Sequence, residues 1–403
     1  MTRFAYWELG ARLGYRQAWA ATLPALAIAA SLGVASPSIA VPVAEPLQLA
    51  ASASAPQWVA VPRARGRLLA ADIGLVINQA DPYSVAVGAH YIRQRQLSPQ
   101  QVLRVNLPQR AVLDVAEFEA LQQAITSHFG PGTQALALAW AAPYAVACNS
   151  ITGALAMGFD AGLCLQSCGA AQRSPYFNSS SGRPYSDHGL RPAMLLAAPS
   201  LDAAKALIDR GVRADGSLAR RGRPAVNVML LRTEDAARNV RMAIYPPAGL
   251  LALPGVRVQV VPEAELPATR HVLMAITGSA KPGLTPAPDW LPGALADHLT
   301  SYGGAWQGTH GQGTVMDWII SGVTASHGTV SEPCNHLQKF PHPQLLLLHY
   351  LQGSTAIEAY WKSVAWPQQS LFVGEPLAAP FSAAPVRRQD AVGSSQQPAS
   401  GNQ

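Results

Sequence analysis

The run ALALAW at 135–140 is apolar at every position. A strand that faces water on one side alternates apolar and polar residues, so an unbroken run of this length belongs to a strand covered on both faces. The segment LLAADIGLVIN at 68–78 contains a second such run. Between them, residues 81–96 show helical spacing, with Val85, Ala89 and Ile92 on one face. Residues 102–107 read as a short strand and 115–129 as an amphipathic helix. This βαβαβ order predicts an α/β fold with a mostly parallel sheet flanked by helices. After an irregular stretch the alternation resumes. Strands are expected at 194–197, 227–231, 256–261, 272–276, 323–330 and 371–374, and helices at 201–210, 234–243, 290–299, 314–321, 345–352 and 356–364. The chain divides on this reading into two α/β halves, 67–225 and 226–381.

The ends read differently. Arg3, Arg12 and Arg16 precede the apolar run WAATLPALAIAASLGVA at 19–35, and Ser38 and Ala40 place small residues at the −3 and −1 positions of a cleavage site. These are the three parts of a signal peptide over 1–40, favoured over a membrane anchor because Pro24 interrupts the run. The expected location is therefore periplasmic or extracellular, with no transmembrane segment once the leader is cleaved. Residues 41–66 are rich in Ala, Pro and Ser and read as a linker, and the polar tail 382–403 reads as disordered. With 49% hydrophobic and 13% charged residues, the 403-residue chain has the means to bury a large core. Outside the leader its net charge is about +4, from basic residues that are scattered, and no nucleic-acid footprint is formed.

Export changes what the four cysteines mean. Cys148, Cys164, Cys168 and Cys334 suggest two disulfides in an oxidising compartment, with all three pairings open. Their spacing matches no common zinc pattern. Three of the four fall in the irregular stretch 148–190, which also holds the polar loop SPYFNSSSGRPYSD at 174–187. Tyr176, Arg183 and Asp187 in that loop suit recognition of a protein or a glycan, or else the loop packs as a lid.

Three segments carry a resemblance: GLVINQADPYSVAVGAHYIRQRQLSP, SPYFNSSSGRPYSDHGLRPAML and the long run from GVTASHGTVSEPCNHLQKF to FVGEPLAAPF. Together they resemble a family of exported bacterial proteins of unknown function, over residues 68–381. More remotely, the layout is similar to gingipain-like cysteine peptidases, whose caspase-type fold has two α/β halves. The resemblance implies a His just after one parallel strand and a Cys just after the next, with the Cys attacking as thiolate and the His protonating the leaving amine. Here the position after strand 272–276 reads Thr277-Gly278-Ser279-Ala280, placing Ser279 where the His is expected. The stretch 299–304, LTSYGG, has no Cys. The implied result is a peptidase-like fold without that dyad: a binding or envelope-associated domain whose partner is a secreted or envelope protein or a glycan.

Three rival constellations remain. His327 and Cys334 form a displaced dyad on paper, only seven residues apart, for a cysteine-dependent hydrolase. Six histidines (His298, His310, His327, His336, His342 and His349) lie close to Asp297 in sequence, but at irregular spacings unlike those of metal ligands. Asn78 and Asp81 follow the first strand, where α/β proteins place ligand-binding groups, although a turn and a helix N-cap explain them as well. No glycine-rich phosphate loop occurs, so no cofactor is called for.

Overall fold

The computed structural model describes residues 57–219, 225–251, 255–307 and 311–383. The expected leader, residues 41–56 of the linker, residues 384–403 of the tail and His310 lie outside the described residues.

The chain runs β1 (Ile73–Asn78), α1 (Pro82–Arg95), β2 (Val102–Val105), β3 (Val112–Leu113), α2 (Val115–His128), β4 (Ala135–Leu138), β5 (Ala145–Val146), β6 (Asn149–Ser150), α3 (Ile151–Met157), α4 (Gly162–Leu165), α5 (Pro184–His188), β7 (Ala193–Leu195) and α6 (Leu201–Ala214). It continues through β8 (Val226–Arg232), β9 (Gly249–Leu251), β10 (Val256–Pro262), β11 (Val272–Thr277), β12 (Trp290–His298), α7 (Val315–Ser321), β13 (Ala325–Thr329), α8 (Pro343–Leu351), α9 (Ala356–Ser363) and β14 (Ser370–Gly374).

Eleven of these strands form one sheet, in the order β2-β1-β4-β7-β14-β13-β12-β11-β8-β10-β9. All neighbours are parallel except β13 with β14 and β9 with β10. The class expected from the alternation, a mostly parallel sheet flanked by helices, is the one observed. The first half of the sequence supplies β2-β1-β4-β7. The second supplies the rest, and the last strand, β14, lies beside β7 through the pair Val373 and Leu195. Every residue of β1, β4 and β11 is buried, which is why these segments carry no alternation.

Two elements differ from the sequence expectation in kind. Residues 290–299 form strand β12, not a helix. Gly293 to His298 are buried throughout between β11 and β13, so periodicity carries no signal there, and pairing decided the outcome. Residues 234–243 form a turn and a 3-10 segment, Asn239–Ile244, instead of a regular helix. In α1 the buried face differs too. Ser84, Val87, Gly88 and Tyr91 face the sheet, while Val85 is 45% exposed. A Cβ on Gly88 would meet the Ile77 side chain at 2.5 Å, so small residues bring this helix onto β1.

The cysteines pair as Cys148–Cys164 and Cys168–Cys334, and no free cysteine remains. Among the described residues, no helix is long and apolar enough to cross a membrane.

Candidate functional site

Parallel strands bring residues that are remote in sequence together at their carboxyl ends, most of all where the strand order reverses. In the second half that reversal falls between β8 and β11: the chain leaves β8 for β10 on one side and returns to β11 on the other. Thr277 of β11 pairs with His298 of β12, and the Leu299 N–H donates to the Thr277 carbonyl. Gly278-Ser279 and Thr300-Ser301 therefore stand side by side beyond the sheet.

The segment after β8 folds over them. The Thr233 hydroxyl donates to the Gly278 carbonyl at 2.6 Å. Arg238 and Asn239 cross directly above Gly278, where a Cβ would lie 2.2 Å from the Arg238 carbonyl oxygen. Only glycine permits that approach. Arg238 Nη1 donates to Asp235 at 2.7 Å and its Nε to the Thr300 hydroxyl at 3.3 Å. Burial pushes the Asp235 carboxyl up, but hydrogen bonds from the side chain and backbone of Arg238 outweigh it and hold the group below its ordinary value. The Thr300 hydroxyl in turn donates to Gln312 Oε1 at 2.7 Å. The result is a half-buried polar cluster at the carboxyl ends of β11 and β12, beside which the Ser279 and Ser301 hydroxyls make no hydrogen bond to the described residues.

A buried ionic floor lies beneath. Arg241 reaches both oxygens of Asp297, at 2.8 and 3.1 Å, and its Nη2 donates to the Thr277 carbonyl at 2.8 Å. His327 Nδ1 stands 3.6 Å from the same carboxylate. All three side chains are buried. Burial, then the positive charge of Arg241, then His298 hold the His327 imidazole well below its ordinary value, so it is neutral. His298 is neutral as well: burial lowers it to about 4, Nε2–H donates to the Gly313 carbonyl, and Nδ1 accepts from Trp318 Nε1–H. With both nitrogens engaged, His298 has none left to accept a proton from Ser301 or Ser279.

The structure treats the sequence candidates unevenly. Ser279 is half-buried and follows Gly278 at the carboxyl end of β11. His327 and Cys334 do not form a working pair as the chain stands: Cys334 is bonded to Cys168, and a disulfide sulfur carries no thiolate. The His327 ring packs instead against Phe340 and Phe372. Asn78 is buried, its amide spent on the main chain of Ala80 and Leu107, and Asp81 caps α1 through the Tyr83 N–H. Tyr176 is not available to a partner, because it is fully buried with its hydroxyl on Ser181 and Glu358. Asp187 accepts from the Ser181 hydroxyl and steadies the loop, while Arg183 is exposed. Among the described residues, no three His, Cys, Asp or Glu side chains converge as metal ligands.

Sequence reading missed Arg238, Arg241 and Thr300. Arg238 and Thr300 meet across 62 residues, and Arg241 reaches Asp297 and Thr277 across 56 and 36, contacts that only the strand order brings together. A surface groove of about 530 Å³ lies elsewhere, between β2 and α2, lined by residues that include Arg104, Leu107, Glu117 and Leu121. Compared with models of known protein families and with curated proteins, the chain matches none.

Proposed function

We propose that this is an exported, non-catalytic domain of gingipain- or caspase-like layout that binds a secreted or envelope component. The observation that carries the reading is which residues stand at the carboxyl ends of β11 and β12. At the ends of two adjacent parallel strands, where a peptidase of that layout needs an imidazole and a thiolate, stand Ser279 and Thr300-Ser301. A hydroxyl without a base to take its proton is a poor nucleophile. The imidazole next in sequence, His298, is neutral with both nitrogens bonded. Two α/β halves sharing one sheet support the layout, and two disulfides support an oxidising compartment, in keeping with a leader over residues 1–40.

The test is turnover. The mature protein, alkylated without reduction, is offered fluorogenic peptide and ester libraries at neutral pH. The expected result is no hydrolysis above buffer and no alkylated cysteine. Hydrolysis that is lost in Ser279→Ala or Ser301→Ala would overturn the reading. So would hydrolysis that appears on mild reduction and is lost in Cys334→Ser, because that is the displaced cysteine dyad at work.

A further inference from the structure

A buried arginine needs a countercharge, and the buried arginines of this chain are not treated alike. Arg241 is paired with Asp297, and Arg95 with Glu375 and Asp215. Arg191, only 7% exposed, has no carboxylate partner among the described residues. Its Nε donates to the Thr133 carbonyl at 3.0 Å, and its Nη2 to the carbonyls of Phe129 and Gly130 at 2.9 and 3.0 Å, so the guanidinium clasps the chain where it leaves α2. The Tyr185 ring covers one face of the group, with the ring centroid 3.5 Å away, and fixes its plane. Arginine carries five N–H groups. The clasp uses those of Nε and Nη2, while the pair on Nη1 meets no carbonyl or carboxylate among the described residues. Burial pulls the guanidinium below its ordinary value, and only Tyr185 acts in the other direction. Carbonyl dipoles ease a buried positive charge without neutralising it, and a charge buried unpaired is costly.

Arg191 also lines a cavity. It measures about 230 Å³ and lies at the amino ends of β4 and β7, among residues of α2, α3 and α5. Arg191 is the only charged residue of its lining. Ile125, Leu136, Leu155 and Ala156 supply an apolar wall. Gln122 supplies a polar one, and its side-chain amide makes no hydrogen bond to the described residues. Gly158 and Gly189 leave the cavity open at its edge, since a Cβ on either would meet nothing within 4 Å. The clasp accounts for Nε and Nη2. It does not account for an uncompensated charge beside a cavity with a free amide and an apolar wall.

We propose that this cavity binds a small organic monocarboxylate, with its carboxylate on Arg191 Nη1 and the Gln122 amide and its apolar body against Ile125 and Leu155. One positive charge with one nitrogen to spare matches a monoanion. A phosphate dianion asks for more donors than remain, and it would face the carbonyl dipoles of Phe129, Gly130 and Thr133. The volume lies below the ~300–1,000 Å³ of pockets for drug-sized ligands, so the acid is a short one. The site shares no residue with the cluster around Ser279 and Ser301 and does not rest on what that cluster does.

The experiment titrates the full mature chain, disulfides intact, with isovalerate, phenylacetate and hydrocinnamate at neutral pH, read by isothermal titration calorimetry and saturation-transfer NMR. Phenylacetamide is the uncharged match, acetate lacks the apolar body, and inorganic phosphate is the rival anion. At least one of the three acids should saturate a single site. Acetate and phenylacetamide should bind at least ~10-fold more weakly, the loss expected for one charge-assisted hydrogen bond or a buried apolar group. Arg191→Gln should abolish binding. Because that residue also clasps the chain after α2, two variants that leave the clasp alone accompany it: Leu155→Trp, which fills the cavity from a half-buried position, should abolish binding, and Gln122→Leu should weaken it ~10-fold. Circular dichroism checks that each variant is folded, and Gln122→Leu decides if the other two are not. No saturable binding of any of the three acids, an amide or phosphate that binds as tightly as the best acid, or affinity unchanged in Leu155→Trp or Gln122→Leu would each overturn the proposal.

Discussion

Asp297→Ala isolates the buried ion pair beneath the polar cluster at the ends of β11 and β12. Arg241 and Asp297 are 1% and 0% exposed, and the carboxylate receives charge-assisted hydrogen bonds of 2.8 and 3.1 Å. After the substitution Arg241 keeps the Thr277 carbonyl at 2.8 Å and the Pro341 carbonyl at 3.4 Å. Two carbonyl dipoles do not replace a countercharge, so a guanidinium stays buried and uncompensated. Breaking such a pair from one side costs about 3–5 kcal/mol. Removing both partners removes the desolvation cost along with the attraction, so Arg241→Met/Asp297→Leu should fall within about 1–2 kcal/mol of wild type. The assay is equilibrium urea unfolding of all three proteins with disulfides intact, read by far-ultraviolet circular dichroism. The double variant should be the more stable of the two variants, by at least about 1 kcal/mol. If Asp297→Ala costs under about 1 kcal/mol, or if the double variant is the less stable of the two, the pair does not hold the 3-10 segment against the sheet, and the physical account of the buried ion pair fails.

Acid should destabilise the fold through its buried imidazoles. His298 titrates at about 4 when folded against 6.5 when free, and burial lowers His327, His342 and His349 too. The unfolded chain therefore binds protons that the folded chain refuses, and stability should fall as pH drops from 6.5 towards 4, by up to about 1.4 kcal/mol per pH unit for each histidine; flat urea midpoints over that window would contradict this. Gly278→Ala drives a Cβ to 2.2 Å from the Arg238 carbonyl oxygen, so the covering segment must lift, at about 1–3 kcal/mol in the same urea assay. A variant as stable as wild type would show that the segment is not seated there. Cys168→Ser/Cys334→Ser opens a loop with a sequence separation of 166 and should cost about 5 kcal/mol, against about 3 kcal/mol for Cys148→Ser/Cys164→Ser with a separation of 16. The reverse order would mean that local packing, not chain entropy, sets the cost.

The class of fold was legible because β1, β4 and β11 are buried on both faces and the chain says so in continuous apolar runs. What misled was burial of a different kind. Trp290–His298 contains Pro292 and Gly293 ahead of an Ala-rich stretch, and its buried end has no outward face to show a period. In α1 the contact with β1 runs through Ser84 and Gly88, residues that a search for apolar stripes passes over, although it is their smallness that lets the helix approach. The linker reading of 41–66 rested on composition, and composition is silent about main-chain hydrogen bonds. Residues 57–66 are held by amides on α8 that no pattern in the segment itself announces.

The candidate site was legible in the same partial way. Ser279 could be placed because it follows a strand that the sequence marks plainly, and its neighbours in sequence were known from that alone. Whether its hydroxyl has a base depends on the state of imidazoles, and neither His298 nor His327 reveals its state in the sequence. The nitrogens of His298 are spent on Trp318 and on the Gly313 carbonyl, 20 and 15 residues away. His327 is kept neutral by burial and by Arg241, which sits in a segment that sequence took for a helix. His298 and His327 are thus parts of the core, and the same burial that makes them weak bases should make the fold sensitive to acid. A variant that frees one His298 nitrogen, Trp318→Phe, would join the two consequences. With Nδ1 released from its donor, the imidazole should titrate closer to its ordinary value and the acid transition should move with it, whereas an unmoved transition would mean that burial alone holds His298 neutral.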